Sequence, residues 1–222
     1  MSIANKKDLV KKRVTSDHGC EGPCTKCARI HQLIDLMFEA NIPVGYWFLT
    51  MKDFKGASEL KEIYDEFVGN LSDKYMAGIS ICFAGNQGTG KTMSSICILK
   101  QALKKGYSAY YTTATDILNN MTDFKNNGEL RDKLRNTDFL VIDELDSRFF
   151  TSDSVKELFC SIYENVFRFR AHNMMPTIIC TNETEGVLKV FHGAGVQSIE
   201  SLNHQYLKVY PVVGPDFRKR QG

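Results

Sequence analysis

An α/β fold built on a five-stranded parallel sheet with helices on both faces is predicted by three observations. Short, almost wholly apolar segments alternate with amphipathic ones after Gly78, as βαβ units require. One apolar segment runs straight into a glycine-rich turn ending in Lys91-Thr92, and another ends in the acid pair Asp143-Glu144. The near-continuous apolar character of these segments is what strands covered on both faces need.

The predicted strands are Ile79 to Ala84, Ala109 to Thr113, Phe139 to Ile142 and Thr177 to Thr181, with a fifth inside Tyr206 to Val213. Helices are predicted at Lys91–Lys105, Ala114–Met121, Leu130–Arg135 and Ser154–Ala171. Before the sheet, Ile30, Leu33, Ile34, Met37 and Phe38 recur at three-and-four spacing, which predicts a helix from Cys27 to about Ala40, ended by Pro43. An irregular aromatic stretch, Val44 to Phe54, leads to a second helix after Ser58, with Leu60, Ile63, Tyr64, Phe67, Val68 and Leu71 on its apolar stripe. Residues 1–17 are polar and basic and are expected to be poorly ordered. The expected division is 1–45, a basic arm with a cysteine knuckle and helix, and 46–222, the α/β core.

The chain has 222 residues, 43% of them hydrophobic and 24% charged, ordinary values for a globular protein. The formal charge of +2 excludes little, but Lys6, Lys7, Lys11, Lys12 and Arg13 crowd the start, and Arg218, Lys219 and Arg220 crowd the end. Either cluster suits a phosphate backbone or a solvated tail. No apolar run approaches the ~20 residues of a membrane span, and no secretory signal precedes the core. Four of the seven cysteines (Cys82, Cys97, Cys160, Cys180) fall in apolar stretches where a thiol packs as a small hydrophobe. A reducing, cytoplasmic setting is therefore expected.

Gly85-Asn86-Gln87-Gly88-Thr89-Gly90-Lys91-Thr92 matches G-x-x-x-x-G-K-[ST] in full, between a strand and a helix. The glycines let backbone amides converge on phosphates, and the helix start adds its positive end. Lys91 is expected to reach the β- and γ-phosphates of ATP, and Thr92 to ligate Mg²⁺. Asp143 closes an apolar strand and would hold Mg²⁺ through water, while Glu144 would act as general base on the attacking water. Two adjacent acids with separate tasks mark the ASCE branch of P-loop NTPases. Asn182, at the end of Thr177–Thr181, would contact the γ-phosphate or the lytic water, or would instead cap a helix.

Cys20-x3-Cys24-x2-Cys27-x3-His31 offers four ligands within twelve residues, a set that suits tetrahedral Zn²⁺. Cys27 and His31 lie one helical turn apart, Gly22 and Pro23 shape the knuckle, and His18 is the substitute for His31. An iron–sulfur cluster and three free thiols are the rival readings.

These motifs resemble the AAA+ helicase loaders of the DnaC/DnaI group and the related IstB transposition ATPases, from about Ala40 to the end. Ala40-Asn41-Ile42-Pro43 before Phe54 is similar to the family's lead-in, and Gly106-Tyr107 with Ala109–Leu118 to its second strand and helix. Arg170 falls where the family often carries an arginine ahead of its sensor strand. Asp216-Phe217-Arg218 resembles the terminal arginine element that reaches nucleotide, and the short end after the fifth strand resembles members without a helical lid. The usual arginine finger is missing, because no arginine lies between Arg170 and Arg218. The resemblance therefore implies an ATPase that is weak alone, or that receives an arginine from a partner, with Arg148, Arg168 and Arg170 the residues to test.

It further implies a replicative helicase as partner, single-stranded DNA as a second, and a homo-oligomer or a hetero-oligomer with the helicase. The zinc module would dock the helicase. Tyr107, Tyr110 and Tyr111, with Lys104 and Lys105, would either stack on bases or pack the strand, and Phe124 and Lys125 are further candidates. A transposition ATPase on duplex DNA and a nucleotide-gated adaptor with negligible hydrolysis are the alternatives.

Overall fold

A computed structural model describes residues 2–20, 24–121, 127–184 and 197–217. The five parallel strands are β1 (Ser80–Gly85), β2 (Ala109–Thr113), β3 (Phe139–Asp143), β4 (Thr177–Thr181) and β5 (Leu207–Val212). They stand in the order β2-β3-β4-β1-β5, so the Asn182 strand lies between the two motif strands, as expected. All residues of β1, β3 and β4 are buried, which explains why these strands read as unbroken apolar runs.

Alternation along each strand divides the core into two. Ile81, Phe83, Phe139, Val141, Ile178 and Cys180 face one side; Cys82, Ala84, Leu140, Ile142 and Ile179 face the other. On the first face pack α2 (Thr25–Glu39), α3 (Ser58–Gly69), α4 (Leu71–Met76) and α5 (Lys91–Lys104), through residues such as Ile34, Met37, Leu60, Phe67, Leu71 and Leu99. The second is covered by α6 (Ala114–Met121), α7 (Asn127–Asn136), α8 (Asp153–His172) and α9 (Gln197–Tyr206), with Ile117, Leu134, Phe159, Phe167 and Leu202 inward. α2 thus shares its core with the sheet. Among the described residues no helix is long and apolar enough to cross a membrane.

Two details differ from expectation. Residues 3–17, expected to be poorly ordered, form the helix α1 (Ile3–Asp17), begun by the Ser2 hydroxyl accepting from the Asn5 amide at 3.2 Å. Charge pairing across helices explains it: Lys7 and Lys11 meet Asp35 of α2 at 3.2 and 2.5 Å, and Val10 and Val14 lie against the core. α2 ends at Glu39, within a residue of the expected end, but the turn at Asn41 rather than Pro43 stops it. Asn41 takes a left-handed conformation (φ 56°), and the Ile42 amide closes the helix on the Met37 carbonyl at 3.0 Å.

Candidate nucleotide and metal sites

The glycine-rich turn joins β1 to α5, and three of its features require glycine. Gly88 and Gly90 have φ of 77° and 100°. A Cβ on Gly88 would lie 1.8 Å from Asp216 Oδ1, and one on Gly90 would lie 2.6 Å from the Phe54 ring. A Cβ on Gly85 would strike the Val212 carbonyl oxygen at 1.9 Å. The turn is braced from both sides: the Ala57 amide donates to the Thr89 carbonyl (3.0 Å), and the Phe217 amide donates to the Gly88 carbonyl (3.1 Å). Phe54 and Gly56 therefore clamp the loop from the lead-in, while Asp216 and Phe217 do so from beyond β5. Arg218 lies outside the described residues, as do Gly22, Pro23, Phe124, Lys125 and 185–196 of the finger-less stretch.

Lys91, Thr92, Asp143, Glu144 and Asn182 line one cleft of about 390 Å³ together with Gln87, Gly88, Gly90 and Phe217. The buried Lys91 ammonium donates to the carbonyls of Gly85 and Asn86, both at 2.7 Å, and to Asn182 Oδ1 at 3.1 Å. Asp143 is 3% exposed, and each of its oxygens already accepts one bond: Oδ1 from the Glu144 amide and Oδ2 from the Tyr111 hydroxyl, both 2.8 Å. Glu144 follows in a left-handed conformation (φ 55°), which turns its side chain out of the strand's alternation to the exposed mouth of the cleft. Partial desolvation, and then repulsion from Asp143 and Asp116, pushes its carboxyl above the ordinary 4.5. A carboxylate so tuned is a better proton acceptor near neutrality.

Hard oxygen donors, the Thr92 hydroxyl and the Asp143 carboxylate, line the same cleft, a donor set that fits Mg²⁺. The amide nest and Lys91 fit a polyphosphate.

Asn182 is oriented by a residue that the sequence reading missed. Its Nδ2 donates to Asp146 Oδ2 at 3.3 Å, leaving Oδ1 toward Lys91. Asp146 is 1% exposed and accepts from the Arg148 amide (3.0 Å) and from its guanidinium, which lowers the carboxyl's pKa. An acid one residue beyond the apolar Leu145 was the available signal. Arg148 is thus the tested arginine that joins the site's network. Arg168 pairs with Glu164 on α8 at 2.6 Å. Arg170 is wholly buried, donating to the carbonyls of Leu134, Thr137, Asp138 and Pro176 and to the Thr177 hydroxyl. Its donors are therefore spent inside the fold, where it bridges α7, α8 and the ends of β3 and β4.

Of the two readings of the tyrosines, the contacts fit strand packing. Tyr107 packs on Tyr75 and Phe139 with ring centroids 4.8 and 5.4 Å away, Tyr110 lies half-buried under Lys133, and Tyr111 is 8% exposed. Their faces are covered by the protein itself.

At the far end of α2, the cysteines gather with His18 and without His31. Ligand atoms of His18, Cys20, Cys24 and Cys27 all lie within 4.8 Å of one another. His18 Nδ1 is 2.9 Å from Cys20 Sγ and 3.4 Å from Cys24 Sγ, and Cys20 Sγ is 4.0 Å from Cys27 Sγ. Zinc–sulfur bonds of ~2.3 Å put tetrahedral edges at roughly 3.8 Å, so soft donors at these separations fit Zn²⁺. His31 Nε2 instead meets the Lys11 carbonyl (3.0 Å) and the Thr15 hydroxyl (3.2 Å) on α1. Of the two histidines offered for the fourth place, the one beside the thiols is His18, the alternative to His31, because Gly19, at φ 67°, turns the chain after α1. Hydrogen bonds, first from the Cys27 backbone, draw Cys24 down to about 6, favouring the thiolate that a metal takes.

Residues 74–186, half of the chain, match the family of IstB-like ATP binding proteins. The chain belongs to that family. The replicative helicase loader DnaC of Escherichia coli (strain K12) is 36% identical over 93 residues, 40% of this chain and 35% of that protein. An ATP-binding protein of insertion sequence IS5376 from Geobacillus stearothermophilus is 28% identical over 148 residues, 64% of this chain and 56% of that one. The match thus spans about a third of DnaC and just over half of the second relative. The crystal structure of DnaI shares the fold with TM-score 0.63 at 16% identity, over 80% of this chain and 94% of that one. As an IstB-like chain, this protein carries its family's P-loop fold on the sheet described above.

Proposed function

We propose that this IstB-like chain is an ATP-dependent loader of a replicative helicase, or a loader-like replication accessory ATPase. The convergence of Lys91, Thr92, Asp143, Glu144 and Asn182 on one cleft, in a chain similar to DnaC, is the observation that carries the reading. The amides of Gly85–Thr92 and the Lys91 ammonium hold the triphosphate. Thr92 and Asp143, the latter through water, would hold Mg²⁺, and the chemistry supplied there would be neutralisation of phosphate charge. Glu144 takes the proton of the attacking water as its oxygen bonds to phosphorus and ADP leaves. Asn182, with its oxygen turned inward by Asp146, accepts from that water. Intrinsic turnover is weak, and an arginine from a partner, or Arg148 after release from Asp146, completes the site. Zinc on His18, Cys20, Cys24 and Cys27 stiffens the N-terminal module that docks the helicase. ATP then switches the chain between helicase-bound and single-strand-bound states.

Similarity to the IS5376 protein favours a second reading, a transposition ATPase on duplex DNA. The test is ATP-dependent loading of a purified replicative hexamer onto single-stranded DNA, with gel-shift binding to single and duplex DNA alongside. Loading that needs this chain and ATP supports the first reading. Cooperative duplex binding without loading supports the second, and no effect on either DNA points to a protein-only adaptor.

A further inference from the structure

We infer that Tyr111 is a positioning residue for the Asp143 carboxylate, fixing the orientation in which that carboxylate holds Mg²⁺. The inference rests on the proposed metal role of Asp143. Tyr111 lies on β2 opposite Val141, and β2 and β3 run parallel, so Asp143 is two residues beyond its register partner. The side chains of Phe139 and Val141 face the core that holds Tyr111, and alternation puts Asp143 on that same face. The phenol thus reaches along the sheet to Oδ2 at 2.8 Å, while the Glu144 amide holds Oδ1 at 2.8 Å. With one donor on each oxygen, the plane of the carboxylate is set, and its remaining lone pairs are directed into the cleft.

The tyrosine is itself anchored at both main-chain groups. Its amide donates to the Ala40 carbonyl (2.8 Å), and its carbonyl accepts from Asn41 Nδ2 (2.9 Å). Both partners belong to the turn that ends α2, the helix that starts at the cysteine cluster. Hydroxyl groups that orient a metal-holding group through a hydrogen bond tune metal affinity without touching the metal.

The experiment uses the full chain, a fluorescent ATP analogue and a Mg²⁺ titration, in wild type, Tyr111→Phe and Asp143→Asn, with urea unfolding of each. Tyr111→Phe should bind nucleotide without metal as wild type does. It should need about tenfold more Mg²⁺ for half-maximal metal-dependent binding. An unchanged Mg²⁺ dependence in Tyr111→Phe, with a shifted one in Asp143→Asn, overturns this inference and leaves the metal role of Asp143 standing. An unchanged dependence in Asp143→Asn overturns that role itself. A Tyr111→Phe chain that does not fold also overturns the inference, since the hydroxyl would then serve stability.

Discussion

Arg170 and Asp146 show how two buried charges in one domain take different work. The Arg170 guanidinium spends its donors on four carbonyls and a hydroxyl where α7, α8, β3 and β4 meet. Arg170→Met should therefore lower unfolding free energy by about 3–5 kcal/mol in urea titrations, since it strips buried acceptors of their donors. Asp146 sits between Asn182 and Arg148, so its loss acts on chemistry more than on folding. Asp146→Ala should cut ATP turnover by about tenfold or more while nucleotide affinity holds, as the proposed role of Asn182 requires of the group that orients it. Equal losses of affinity and turnover would contradict that role. For Glu144, whose pKa is raised, the base form is lost at higher pH than for an ordinary glutamate. As pH falls, turnover should decline on an acid limb centred above 4.5, in a pH–rate profile of the purified chain. Lys91, Thr92, Asp143 and Glu144 were legible in the sequence because motif and strand context coincide. Tyr111 and Asp146 were not, since each acquires its partner only through sheet register or a loop.

At the level of elements, strands buried on both faces announce themselves as apolar runs, and β1 to β4 lie within a residue of their predicted bounds. α1 was hidden because the charges that make it look unfoldable are neutralised by Asp35, two dozen residues away. The choice between His18 and His31 beside the thiols was left open by the sequence for a related reason. Helical spacing made Cys27 and His31 neighbours, but α1 packs on that part of α2 and takes His31 for its own carbonyl. Metal analysis of the purified chain should find about one zinc per molecule. His18→Ala should lose it, and His31→Ala should keep it. Chelation should also speed amide exchange in α1, whose attachment to α2 otherwise rests on partly exposed ion pairs, the His31 contacts and the packing of Val10 and Val14.

Across the whole molecule, two cores grip one sheet, and the ends of β1, β3 and β4 meet beneath a loop braced from both sides. Adjacent strands therefore deliver the phosphate loop, the two acids and the inward-turned amide to a single cleft. The order of the strands explains why motifs about fifty and ninety residues apart in the chain form one site. The most direct measurement is parallel ATP binding and single-turnover hydrolysis by Glu144→Gln and Lys91→Ala, with helicase and DNA present. Glu144→Gln should hold ATP about as tightly as wild type with hydrolysis reduced at least about a hundredfold, and Lys91→Ala should fail to bind it. Wild-type hydrolysis in the Glu144→Gln chain would contradict the account.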